Sequence, residues 1–365
     1  METSSMETSP SKRRLRVLVP LFTLVLAGLV AECGFRLFSP NFYRNETSFV
    51  EDIRIRPPNL DYVINRSFID TEIPEVALRT NERSYYLPAA RFDDPDVTIA
   101  FLGGSTTECG AVQEELRFPA RVSTLLESDG IRANVLNVAY SGNTVHDSIN
   151  VLLNHVVLDH PDIAIMMHAS NDIGVLRTSR DYQPRMARPL DASDVLRWLK
   201  QKLSSHSWFV ARMRYSIASV QGMGAQPVLV REQNVLPSSH FPEEQFRDRL
   251  RAYVALARAF RIEPVLMTQP YAQFRTDITP EWIDGTAQDE ANRVIREVGL
   301  EQDVLVIDLI RHLKEHVADF NEPMIVFYDA IHMTDQGSQI VAEHIAATLR
   351  SARILEPRER RPLVR

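Results

Sequence analysis

The stretch Val97-Thr-Ile-Ala-Phe-Leu-Gly-Gly-Ser-Thr-Thr-Glu108 decides the fold. From Val97 to Leu102 it is apolar or β-branched without a break, which is strand length, and it ends on two glycines and a serine. A strand with no polar alternation is buried on both faces, the condition of a parallel sheet. Four more such runs follow at 133–139, 163–167, 264–268 and 304–308. Helical patterns lie between them at 118–128, 145–159, 243–260 and 287–299, with a last one near 335–350. Right-handed crossovers then predict an α/β fold, a doubly wound three-layer sandwich.

In such a sheet the loops leaving the carboxyl ends of the strands gather at one edge, where ligands bind. Three unusual groups fall there, Gly103-Gly104-Ser105, Gly142-Asn143 and Asn171-Asp172, and Asp329-Ala-Ile-His332 stands before the last helix. A serine, a backbone donor, an amide side chain and an Asp/His pair are the parts needed for acyl transfer. Taken singly, each has a plainer reading. Ser105 is then a loop or helix cap, Gly142 a tight bend, Asn171 an Asx turn and Asp329 a cap.

Composition narrows the class. The 365 residues carry 41 Lys+Arg against 48 Asp+Glu, a net charge of −7, with 44% hydrophobic content. That is too apolar for a disordered chain, and there is no basic field for general nucleic-acid binding. The two cysteines, Cys33 and Cys109, make no disulfide framework. His312-Leu-Lys-Glu315-His316 has the H-x-x-E-H form of inverted zinc peptidases, but no clear third ligand follows it. His168 ends a strand and reads as a buried, hydrogen-bonded side chain.

In order along residues 96–350, the string FLGGSTTE, the Gly142-Asn143 turn, Ala169-Ser-Asn171-Asp172 and DAIH at 329–332 resemble the four blocks of the SGNH (GDSL-like) esterase/acylhydrolase superfamily. The resemblance implies a flavodoxin-like parallel sheet of about five strands. It also implies a catalytic set in which Ser105 is the nucleophile, His332 the base and Asp329 the residue that orients His332. Ser105 and Gly142 backbone N–H groups and the Asn171 amide would form the oxyanion hole. No cofactor and no metal are implied. One departure is visible: Gly104 stands where the block usually has Asp, which bears on the subgroup more than on activity.

The N-terminus carries its own expectation. Lys12-Arg13-Arg14-Leu15-Arg16 precedes an uncharged run from Val17 to Ala31, and extension to Phe38 gives about 33 Å of helix. Glu32 and Arg36 then sit at i,i+4, placed to pair. The preferred reading is a transmembrane anchor over 17–38, similar to membrane-anchored bacterial members of the superfamily. The N-terminus would be cytoplasmic and the catalytic domain periplasmic. A cleaved signal peptide and a buried core helix remain as alternatives.

The expected organisation is a tail at 1–16, the anchor at 17–38, a spacer at 39–95, a catalytic domain at 96–352 and a basic tail at 353–365. A helical insertion at 174–241, with helices around 193–204 and 207–220, is a candidate cap. The expected partners are an acyl-ester substrate, carbohydrate or lipid, and a membrane, with no nucleic acid and no metal. The same residues serve an esterase and an O-acyltransferase, so both stay open. A non-catalytic scaffold of a surface-polysaccharide system is the alternative of a different class.

Overall fold

The computed structural model describes residues 10–38, 53–179, 181–182, 203, 207, 209–210, 213, 241–272 and 285–355. Most of the expected insertion at 174–241, including its two helices, and most of the tail at 353–365 lie outside the described residues. The chain divides into two compact units.

The larger unit comprises Ser48–Pro189 with Pro227–Arg365. It opens with an antiparallel hairpin, β1 (Asp61–Asn65) and β2 (Glu75–Arg79), where the sequence showed no period. Five parallel strands follow: β3 (Val97–Gly103), β4 (Ala133–Asn137), β5 (Ile163–Met167), β6 (Glu263–Met267) and β7 (Leu305–Ile307). They form one sheet in the order β4-β3-β5-β6-β7, the doubly wound order in which the chain reverses direction beside β3.

Alternate strand residues serve opposite layers, as the period-two geometry of a strand requires. Val97, Ile99 and Phe101 face a core with Val122, Leu313 and Ile345, while Ala100 and Leu102 face one with Leu152, Val254 and Val294. The first layer holds the helices Phe118–Ser128, Leu309–His316 and Asp335–Ser351. The second holds Val145–Asn154, Glu243–Ala259 and Gly285–Gln302. The three-layer α/β/α architecture is therefore present, with the central strands buried on both sides and the edge strand β7 partly exposed.

The smaller unit comprises Met1–Thr47 with Leu190–Gln226, and its helix α1 spans Pro10–Phe38. Glu32 and Arg36 do pair, at 2.8 Å. Glu32 Oε2 also accepts from the Ser207 hydroxyl at 2.8 Å and the Phe209 N–H at 2.9 Å, and Phe35 stacks on Phe209. Among the described residues, no helix is long and apolar enough to cross a membrane. The expected anchor over 17–38 falls on this helix, and its Glu32 and Arg36 pair as their spacing predicts. A single-pass topology is not supported by the described residues of this helix.

Candidate active site

β3 ends at Gly103, and its next residues turn directly into a single helical turn, α2 (Ser105–Glu108). Ser105 is the first residue of that helix, so its N–H has no intrahelical acceptor and faces outward from the positive end. Glycine is required on the strand side. A Cβ on Gly103 would collide with the Thr107 side chain. One on Gly104 would lie 2.5 Å from Asn171 Nδ2 and 3.3 Å from the Asn143 carbonyl oxygen. A side chain at 104 would therefore crowd the Asn171 amide.

The Asp329-Ala-Ile-His332 segment arrives from the other side. His332 Nε2 is 2.7 Å from Ser105 Oγ, across 227 positions of sequence, and His332 Nδ1 is 2.7 Å from Asp329 Oδ2. Asp329 Oδ1 accepts the backbone N–H groups of Ile331 at 2.9 Å and His332 at 2.7 Å, which holds the carboxylate rigidly under the ring. Burial pushes the Asp329 pKa up, but its bond to His332, the His332 charge and these two N–H donors outweigh that and bring it below the usual carboxylate range. An ionised Asp329 fixes the Nδ1–H tautomer, which leaves Nε2 as the acceptor of the Ser105 hydroxyl proton. Tyr328 stacks on His332 with ring centroids 5.7 Å apart and fixes its plane from one side.

The turn after β4 supplies the third part. Tyr140 N–H donates to the Gly103 carbonyl at 3.1 Å, and Asn143 N–H closes the turn onto the Tyr140 carbonyl at 2.9 Å. Gly142 sits at φ +80°, the left-handed region that the third position of a type II turn demands. The turn's own bond uses the Asn143 N–H, so the Gly142 N–H stays outside it. Thr144 then caps the next helix in a capping box with Asp147, which fixes where the turn ends.

Asn171, in the first turn of the helix Ser170–Ser179, donates one amide hydrogen to the Asn143 carbonyl at 2.8 Å. A primary amide has two, and the second is left for a ligand. Its neighbour Asp172 is fully buried: its Oδ1 accepts from the Val145 N–H and the Tyr182 hydroxyl, and burial pushes its pKa up to about 7. The sequence-based set Ser105, Asp329, His332, Gly142 and Asn171 is therefore brought to one edge of the sheet.

The rivals fall elsewhere. His168 is buried, bonds Ser148 Oγ at 2.7 Å and is pushed down to about 3 by burial, so it is a neutral core residue. Burial pushes the Cys109 thiol up to about 12, which leaves it no nucleophilic thiolate. His312 and His316 stack at 4.8 Å, with His344 at 3.8 Å from His312. Parallel stacked rings do not aim their lone pairs at one point, and among the described residues no group of His, Cys, Asp or Glu is arranged to hold a metal ion.

Sequence reasoning missed Arg54, Arg56 and Glu108, which surround the Gly142 turn. Arg54 Nη1 donates to the Gly142 carbonyl at 3.0 Å and Nη2 to the Ser141 carbonyl at 3.3 Å. Glu108 accepts from Ser141 and pairs with Arg56. The two arginines lie in a stretch with no periodic signal, and nothing local marks them.

Residues 101–340 match the sequence model of the GDSL-like lipase/acylhydrolase family. No curated protein matches the chain. Among solved structures, the lipase/acylhydrolase from Enterococcus faecalis is similar over 72% of this chain and 99% of its own, at 17% identity and a TM-score of 0.45. The acetylxylan esterase Axe2 from Geobacillus stearothermophilus is similar over 69% of this chain and 94% of its own, at 18% identity and a TM-score of 0.45. The acetyl xylan esterase AlAXEase covers 69% of this chain and 100% of its own, at 15% identity and a TM-score of 0.44.

Proposed function

The chain belongs to the GDSL-like lipase/acylhydrolase family, and from that premise we propose that it cleaves O-acyl esters through an acyl-enzyme on Ser105. The observation that supports this reading is the unbroken line Ser105 Oγ, His332 Nε2, His332 Nδ1, Asp329 Oδ2, with 2.7 Å at both contacts. In the forward step His332 takes the Ser105 proton as Oγ attacks the acyl carbon. The oxyanion forms opposite the Ser105 and Gly142 N–H groups and the Asn171 amide. His332 then gives its proton to the departing alcohol. Water, deprotonated by the same imidazole, releases the acid and restores Ser105. Asp329 stays ionised and stabilises the imidazolium at each transfer.

The acyl group is short on this reading. Among the described residues, the cleft lined by Ser105, Cys109, Val112, Tyr328, His332 and Met333 is narrow. That supports an acetyl ester, and the alcohol proposed for it is a carbohydrate hydroxyl. The exposed apolar residues of α1, among them Phe22, Leu24, Leu29 and Val30, support attachment to a membrane surface by that helix. Flotation with lipid vesicles tests the attachment, and a chain that stays at the bottom of the gradient refutes it.

The activity is tested by hydrolysis of p-nitrophenyl acetate, butyrate and octanoate by wild type and Ser105→Ala. The expected result is turnover that falls with chain length and is lost in the variant. Undiminished hydrolysis by Ser105→Ala would refute the assignment, and octanoate cleaved as well as acetate would refute the short acyl group. A wild type that reacts with a serine-directed phosphonate but hydrolyses none of the three esters would assign the acyl group to an acceptor other than water.

A further inference from the structure

The Gly142 N–H belongs to the peptide that joins Ser141 to Gly142, and its direction depends on which way that peptide faces. Type I and type II turns differ by a half-rotation of this central peptide. Glycine at the third position makes both accessible, because positive and negative φ cost it about the same. A turn of this sequence left to itself would therefore present the N–H part of the time and the carbonyl for the rest. Something has to hold it.

Two charged residues do. Arg54 Nη2 donates to the Ser141 carbonyl at 3.3 Å, the carbonyl of that same peptide, and Nη1 donates to the Gly142 carbonyl at 3.0 Å. Carbonyl and N–H of one peptide point in opposite directions, so a guanidinium on the Ser141 oxygen aims the Gly142 N–H away from itself. Arg54 is in turn fixed by Asp147 at 3.3 Å, and the Asn143 side chain donates to its backbone carbonyl at 3.0 Å. From below, Glu108 Oε2 accepts the Ser141 N–H at 3.0 Å and the Ser141 hydroxyl.

Glu108 is the last residue of α2, the helix that Ser105 begins. Its other oxygen takes Arg56 Nε at 2.8 Å and Nη2 at 2.6 Å, together with the Tyr86 hydroxyl. Burial opposes its charge, but Arg56 and the hydrogen bonds from Ser141, Tyr86 and Arg56 keep it ionised. The nucleophile and the anchor of the turn thus ride on one helical turn.

We propose that Arg54 and Glu108 are positioning residues that lock the Ser141–Gly142 peptide with its N–H presented to the oxyanion. The proposal rests on the assignment of Ser105 and Gly142 made above. It predicts that the unclamped turn binds substrate normally and fails only when the tetrahedral oxyanion forms.

The test uses Arg54→Met, Arg54→Lys and Glu108→Gln in the full chain, with p-nitrophenyl acetate and a boronic acid whose tetrahedral adduct places an oxygen at the oxyanion position. Complete removal of one oxyanion donor costs about 10²–10³ in kcat, and a donor that is mispointed part of the time costs less, about 10–100-fold. Arg54→Met is expected to lose that factor in kcat with KM within about twofold, and to weaken the boronic acid by the same factor. Arg54→Lys, with one ammonium for two carbonyls, is expected to fall between. Glu108→Gln is expected to follow Arg54→Met.

If Glu108→Gln fails to fold, because Arg56 loses its counter-charge, half-buried Arg54 decides the matter alone. Wild-type kcat in Arg54→Met, a raised KM with kcat intact, or a loss of kcat without loss of boronic acid affinity would each overturn the proposal. Activity that persists in Ser105→Ala would sink the underlying assignment instead. A dead Ser105→Ala beside an unaffected Arg54→Met would sink this proposal only.

Discussion

Replacing Gly104 by alanine adds one methyl group at the point where the sequence departs from its family block. The new Cβ would lie 2.5 Å from Asn171 Nδ2, and ordinary van der Waals contact begins at 3.4 Å. The amide must therefore retreat by about 0.9 Å. The moving atom is the end of a side chain, so the fold absorbs the change at small cost, but an oxyanion donor works only within about 2.7–3.1 Å of its target. Loss of that donor predicts a fall in kcat of about 10²–10³, or roughly 3–4 kcal/mol of transition-state stabilisation, with little change in thermal midpoint.

The assay is kcat on p-nitrophenyl acetate for Gly104→Ala, Asn171→Ala and the double variant. Acting through Asn171, the methyl group should cost almost nothing once Asn171 is already alanine, so the two effects should not add. A Gly104→Ala enzyme with wild-type kcat, or a double variant in which the two losses multiply, would refute the reasoning.

Asp329→Asn should keep the fold and lose about 10³–10⁴ in kcat through the wrong imidazole tautomer; kinetics on the folded variant check it, and a loss under tenfold contradicts it. Burial raises the pKa of Asp172 in the folded protein to about 7, from the ordinary carboxylate value near 3.8. Its contribution to stability is therefore full below about pH 3.8, declines as pH rises and is gone above about 7. Wild type should lose thermal stability relative to Asp172→Asn across that window and run parallel to it above; equal slopes for the two proteins would contradict this. Gly337, in the first turn of Asp335–Ser351, has no room for a side chain because a Cβ would strike the Val326 backbone. Gly337→Ala should lower stability by about 1–3 kcal/mol by urea denaturation, and an unchanged midpoint would count against the packing described.

The sheet was legible because its strands are apolar on both faces. The runs at 97–102 and 163–167 became β3 and β5 within a residue, and the helix at 118–128 appeared as Phe118–Ser128. Three of the four short blocks were legible because each follows the end of a strand, and the fourth because it stands just before the last helix. The hairpin 61–79 was not, since its outward strand Asp61–Asn65 is almost wholly exposed and carries no period. Arg54 and Glu108 were invisible for a different reason. Their meaning lies in contacts spanning 87 and 33 positions, and no local pattern encodes those. The Glu32–Arg36 pair was legible from its i,i+4 spacing, because both partners lie on one helix face.

The central claim is the contact between Ser105 and His332. Treatment with a fluorophosphonate followed by peptide mass mapping tests it most directly. The account predicts a single phosphonylated residue, Ser105, and labelling that nearly vanishes in His332→Ala. An adduct on another residue, or labelling of Ser105 at the wild-type rate without His332, would contradict it.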